Sequence, residues 1–75
     1  MIVPDLNLLL YAVNADMPQH SAAHRWWLQC LNGDEPIGMP WTVALGFLRL
    51  STNARIFGAP LTANAAIQLL DEWLA

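Results

Sequence analysis

Met1-Ile2-Val3-Pro4-Asp5-Leu6-Asn7-Leu8-Leu9-Leu10-Tyr11-Ala12-Val13 opens the chain, and the reading of the rest follows from it. Met1 to Pro4 reads as a short buried strand whose apolar content is Ile2 and Val3. Pro4 has no N–H to give a sheet, so it closes the strand. From Leu6 the period changes. Leu6, Leu9, Leu10 and Val13 recur at helical spacing, while Leu8, Tyr11 and Ala12 make the other faces apolar as well. The stretch therefore predicts a strand that delivers Asp5 to the start of a helix buried on more than one side.

Working outward, Asn14 to Pro18 is a turn and Gln19 to Leu31 a second helix. Its inner face holds Ala23, Trp26, Trp27, Cys30 and Leu31, with Arg25 and Gln29 outside. Asn32-Gly33-Asp34 ends it, Gly33 being the natural C′ residue. Pro36 to Pro40 carries a second strand, with Ile37 and Met39. A third helix runs from Trp41 to Thr52, Asn53 to Leu61 is loop, and Thr62 caps a fourth helix. The order β-α-α-β-α-α implies an α/β fold with parallel pairing and flanking helices. Two strands are few for a parallel sheet, and the last helix has no stop signal. The chain therefore reads as the N-terminal portion of a single domain.

Composition narrows the function classes. Hydrophobic residues make up 56% of the 75 residues and charged ones 12%, a high and a low share for a soluble domain. A domain this small buries only about 60% of the surface of its unfolded chain. Its surplus apolar surface is therefore meant either for a membrane or for something outside these residues. No run approaches the roughly 18 apolar residues of a spanning helix, and no signal-peptide pattern precedes Asp5. The expectation is a soluble, cytoplasmic protein. Cys30 is the lone cysteine and cannot form an internal disulfide, which fits a reducing compartment. The net charge of −3 offers no basic footprint for nucleic acid. That counts less against a nuclease, in which metal ions supply positive charge at the phosphate.

Asp5 is the leading candidate for chemistry. Ligands of parallel α/β sheets gather at the carboxyl ends of strands, and a carboxylate there suits a hard cation bound to a phosphate. The plainer role is an N-cap that accepts from the backbone of Asn7 or Leu8. Position alone favours the cap, and the two roles are compatible. His20 and His24 have zinc-ligand spacing, but no HExxH pattern or third ligand accompanies them, so they read as packing and helix-start residues. Asp34-Glu35 and Asp71-Glu72 read as solvated surface. Four tryptophans suggest a base-stacking platform, but Trp26, Trp27 and Trp73 fall on core stripes, and Trp41, just after Pro40 near the Asp5 end of the sheet, stays open for that role.

The run Ile2 to Ala12 resembles the opening of a PIN domain, a fold of metal-dependent ribonucleases. The resemblance continues through His20-Ser21-Ala22-Ala23-His24-Arg25-Trp26-Trp27-Leu28, then Pro36-Ile37-Gly38-Met39-Pro40-Trp41. It ends with Gly46-Phe47-Leu48-Arg49-Leu50-Ser51-Thr52-Asn53-Ala54-Arg55-Ile56-Phe57. This ordered set is similar to one branch of the VapC toxins of bacterial toxin–antitoxin pairs, and it covers essentially the whole chain. The resemblance implies that Asp5 is the first of several acids holding Mg²⁺ or Mn²⁺, whose activated water cuts RNA. It further implies a cognate antitoxin partner and pairing of the protein with itself. Asn7 matches the family's small polar position beside the acid, and Arg49, Ser51 and Thr52 are candidates for contact with RNA phosphate. The family's acid after the second strand aligns with Gly46, which has no ligand to offer, and its remaining acids lie in a later half. Two expectations follow: a metal-dependent endoribonuclease toxin with Asp5 as metal ligand, or a truncated, non-catalytic remnant that only binds.

Overall fold

A computed structural model describes residues 1–74. It contains four α-helices: α1 (Leu6–Val13), α2 (His20–Asn32), α3 (Trp41–Ser51) and α4 (Ala63–Leu74). They lie within a residue or two of where the apolar spacing places them. The expected parallel sheet is absent. Among the described residues no strand forms, and the two apolar segments meet only at an isolated parallel bridge between Ile2 and Ile37. The fold class is therefore helical, which corrects the α/β reading.

The physical reason lies in the prolines. Ile2 N–H donates to the Pro36 carbonyl at 2.8 Å, and Gly38 N–H donates to the Ile2 carbonyl at 2.8 Å. In a parallel ladder the next donors on that edge are the backbone nitrogens of residues 4 and 40. Both are prolines, so neither has an N–H to give. The pairing of these two segments stops at a single bridge because its neighbouring rungs lack their donors.

α1 forms the centre. It packs against α2 and α3, and α4 packs on α3. The core includes Leu9 and Leu10 of α1, Ala23 and Trp27 of α2, Phe47 of α3, and Ala66 and Leu70 of α4. Phe47 is completely buried and meets Trp73 with ring centroids 5.1 Å apart; Trp27 meets the same Trp73 edge-on at 5.4 Å. Trp26, expected on the inner face of α2, instead lies at the surface at 36% exposure, stacked beside Trp27. At Gly46 the two helices α1 and α3 come close, and a Cβ there would stand 2.8 Å from Leu6 Cδ2.

The helix ends are satisfied unevenly. Thr62 Oγ1 accepts from Ala65 N–H at 3.1 Å, which is the expected cap of α4. His20 Nδ1 lies 2.9 Å from the Tyr11 carbonyl, so with its hydrogen on that nitrogen the ring satisfies a last-turn carbonyl of α1 from the start of α2. Gly33 ends α2 with φ −85° and ψ 175°, an extended conformation, so the left-handed C′ geometry expected there is not used. No helix has an acid in its first turn, whereas Asp71 and Glu72 fall in the last turn of α4 and Asp34-Glu35 follow the end of α2. These acids oppose the helix dipole, which favours cations at the C-terminus. No helix of the structure is long and apolar enough to cross a membrane.

Candidate functional site

The parallel bridge carries both extended segments in one direction. Ile2 pairs with Ile37 in parallel, so both segments leave the bridge in the same direction, and each leads into a helix. The N-termini of α1 and α3 thus open at the same end of the molecule. Free backbone N–H groups and two helix dipoles favour an anion there.

Asp5 occupies the N-cap of α1 with φ −73° and ψ 143°. Its backbone carbonyl accepts from Leu9 N–H at 3.2 Å, but its side chain makes no cap hydrogen bond. The residue is exposed. The cap role expected of its carboxylate is therefore unfilled, and the charge is presented to solvent beside two helix N-termini. Asn7 is exposed in the first turn and lines a groove of about 230 Å³ with Leu10, Tyr11 and Phe57.

The other candidates divide. Arg49 is exposed on the last turn of α3. Thr52 turns its hydroxyl back on its own helix, donating to the Leu48 carbonyl at 2.7 Å. Ser51 is completely buried, its hydroxyl has no partner, and no surface is left on it for a phosphate. Among the described residues no hydrogen bond or ion pair joins Asp5 to Arg49, Ser51 or Thr52. Gly46 lies against Leu6, the residue after Asp5, so the position aligned with a second acid is close to Asp5 but filled by an apolar side chain.

The fit of a divalent cation can be tested on this arrangement. Mg²⁺ requires near-octahedral oxygen coordination, and one carboxylate among waters holds it weakly. Among the described residues no three His, Cys, Asp or Glu side chains lie close enough together to form a metal centre. These residues do not by themselves fit Mg²⁺ or Mn²⁺, and no hydrolytic step through a metal follows from them. His20 and His24 stack with ring centroids 5.3 Å apart and bring no third ligand with them.

Asp34-Glu35 and Asp71-Glu72 are exposed, as expected of solvated surface, and Glu35 and Glu72 stand at one open cleft of about 750 Å³ between α2 and α4. The signal that marks them is their place at helix C-termini, where acids are electrostatically disfavoured.

Taken together, the structure defines a small helical domain that presents one unengaged carboxylate where two helices begin. No protein-family model matches the chain. Relatives do. The whole chain aligns with ribonuclease VapC33 of Mycobacterium tuberculosis at 49% identity over 75 residues, covering 52% of that protein. It aligns with ribonuclease VapC37 of the same species at 40% identity, again covering 52%, and with ribonuclease VapC43 at 43% over 76 aligned positions, covering 51%. The chain belongs to the VapC family and corresponds to the N-terminal half of its members. It spans about half the length of the curated relatives it matches.

Proposed function

We propose that this chain is the Asp5-bearing half of an endoribonuclease toxin of the VapC type, which cleaves RNA phosphodiester bonds with Mg²⁺ or Mn²⁺. The observation that carries the reading is the end-to-end alignment with proteins named as ribonucleases, with Asp5 exposed at the helix start. In this reading Asp5 is one metal ligand, and the others come from outside these 75 residues. Asn7, two residues on, would orient the Asp5 carboxylate, and Arg49 is the cation of α3 for RNA phosphate. The protein acts in the cytoplasm, pairs with itself, and is held inactive by a cognate antitoxin.

A second reading has its own support. In it this half only binds and does not cleave, since one carboxylate among waters holds Mg²⁺ weakly. One assay separates the two. The purified chain is incubated with RNA and Mn²⁺ beside an Asp5→Ala control. Cleavage that disappears with Asp5→Ala sinks the remnant reading. An inert 75-residue chain, with Asp5-dependent cleavage by a longer form carrying the same N-terminal half, assigns activity to the longer protein alone. Cleavage unchanged by Asp5→Ala overturns the role of Asp5.

A further inference from the structure

Asn7, Leu10, Tyr11 and Asn14 recur at i, i+3, i+4 and i+7, so they form one stripe along α1. The loop after α3 lies against that stripe. Between them runs a groove of about 230 Å³, whose other lining side chains are Met17, Ile56 and Phe57. Its walls are mainly apolar, and its amides come from Asn7 and Asn14. The groove starts at Asn7, two residues from Asp5, and follows α1 away from that acid. At about 1.5 Å per residue, Asn14 lies roughly 14 Å beyond Asp5 along the helix axis.

A separate observation points to a ligand. Asn14 is only 9% exposed, and its amide is half used. Its Oδ1 accepts from Asp16 N–H at 3.2 Å. A backbone N–H can only donate, so this contact fixes which way round the amide stands. Nδ2 is left as a donor, and among the described residues it has no partner. It is not sealed in, and the groove is the open space that Asn14 lines.

An uncommitted donor in an apolar slot reads an acceptor. An asparagine amide with both atoms free pairs with adenine through its amino group and N7. Here the oxygen is committed to the backbone, so adenine would bury its amino group without an acceptor. Guanine and uracil present a carbonyl oxygen instead. We propose that this groove takes one base of the RNA strand, uracil or guanine, with its carbonyl oxygen on Asn14 Nδ2 and its ring against Tyr11. The base belongs to a nucleotide flanking the phosphate at Asp5. The strand is supplied by the ribonuclease reading, on which the inference rests, but the groove is tested without cleavage.

The ¹⁵N-labelled chain is titrated with uridine, inosine and adenosine. None carries a phosphate, so neither a metal nor Asp5 enters the binding. Inosine has the carbonyl of guanine where adenosine has an amino group, and the two purines match in size. Uridine and inosine move the side-chain amide resonances of Asn14 and bind at least about tenfold more tightly than adenosine. Asn14→Asp assigns those resonances. It keeps an oxygen for Asp16 N–H and replaces the donor by an acceptor, so inosine binding falls about tenfold or more. Should that variant not fold, the shifts and the inosine-to-adenosine ratio of the wild type still decide. Equal binding of inosine and adenosine, no binding of any nucleoside, an unmoved Asn14 amide, or wild-type inosine affinity in Asn14→Asp overturns the proposal. So does an Asn14 amide that moves with protein concentration alone, which makes the groove an interface between copies. Asp5→Ala leaves the nucleoside affinities unchanged, so its effect on cleavage bears on the ribonuclease reading and the nucleosides bear on the groove.

Discussion

The α1–α3 junction is closed, and the space between α2 and α4 is open. At the first, Gly46 removes a side chain, Leu6 fills the gap, and Phe47 is completely buried. At the second, Trp73 reaches across to Trp27 and leaves a cleft of about 750 Å³ beside it. Both regions are built from apolar helices, so hydrophobicity does not distinguish them. Side-chain size at the contact does: a glycine lets two helix axes approach, whereas large indoles prop them apart. The closed junction holds the fold and sets Asp5 at its helix start, while the open one leaves a cleft beside the two indoles.

The largest expected effect tests the closed side. Phe47→Ala removes a wholly buried ring and its contact with Trp73, at a cost of about 3–5 kcal/mol. In a domain this small that is most of the stability, so the variant unfolds without a resolved transition in urea. A cooperative transition with near wild-type midpoint breaks the claim that this junction holds the fold.

Gly46→Ala sharpens the same point. Alanine is the better helix former by about 1 kcal/mol, but its Cβ meets Leu6, and overpacking costs about 1–3 kcal/mol. The net expectation is a loss of about 1 kcal/mol, removed when Leu6→Ala is added. A stabilised single variant shows that Leu6 moves aside freely.

Ser51→Ala goes the other way. Its buried hydroxyl has no partner, so its removal raises stability by about 1 kcal/mol, read as a higher urea midpoint. Destabilisation instead reveals a hydrogen bond to that hydroxyl. The smallest effect belongs to Asp5→Ala. Its carboxylate caps nothing, so stability changes by less than about 0.5 kcal/mol. A loss near 1 kcal/mol, the usual worth of a cap, restores the capping role and weakens the case that Asp5 is free for a ligand.

Much of this was legible along the chain. The run from Leu6 to Val13 and the cap at Thr62 locate helices because burial at helical spacing and capping are local properties. Alternating apolar residues at Ile37 and Met39 suggested a strand as well, yet Pro4 and Pro40 were the stronger signal. Their effect depends on register, since a proline blocks a ladder only where its nitrogen faces the partner. Only the observed bridge between Ile2 and Ile37 puts Pro4 and Pro40 where the next rungs need a donor. The burial of Ser51 is hidden from the sequence for a similar reason. The last turn of a helix reads as solvated until a following segment covers it, and here Leu61 N–H donates to the Ser51 carbonyl at 2.9 Å.

By itself, the order of residues determined the four helices, the place of Asp5 at the head of the first, and the family to which the chain belongs. These depend on local periodicity and on motifs that are contiguous in the chain. Tertiary structure alone decided that the strands would not form a sheet, that the Asp5 carboxylate would stand unengaged, and that Glu35 and Glu72 would share one cleft. Each of those depends on which distant segments come to face each other, and a linear pattern of apolar residues carries no record of that.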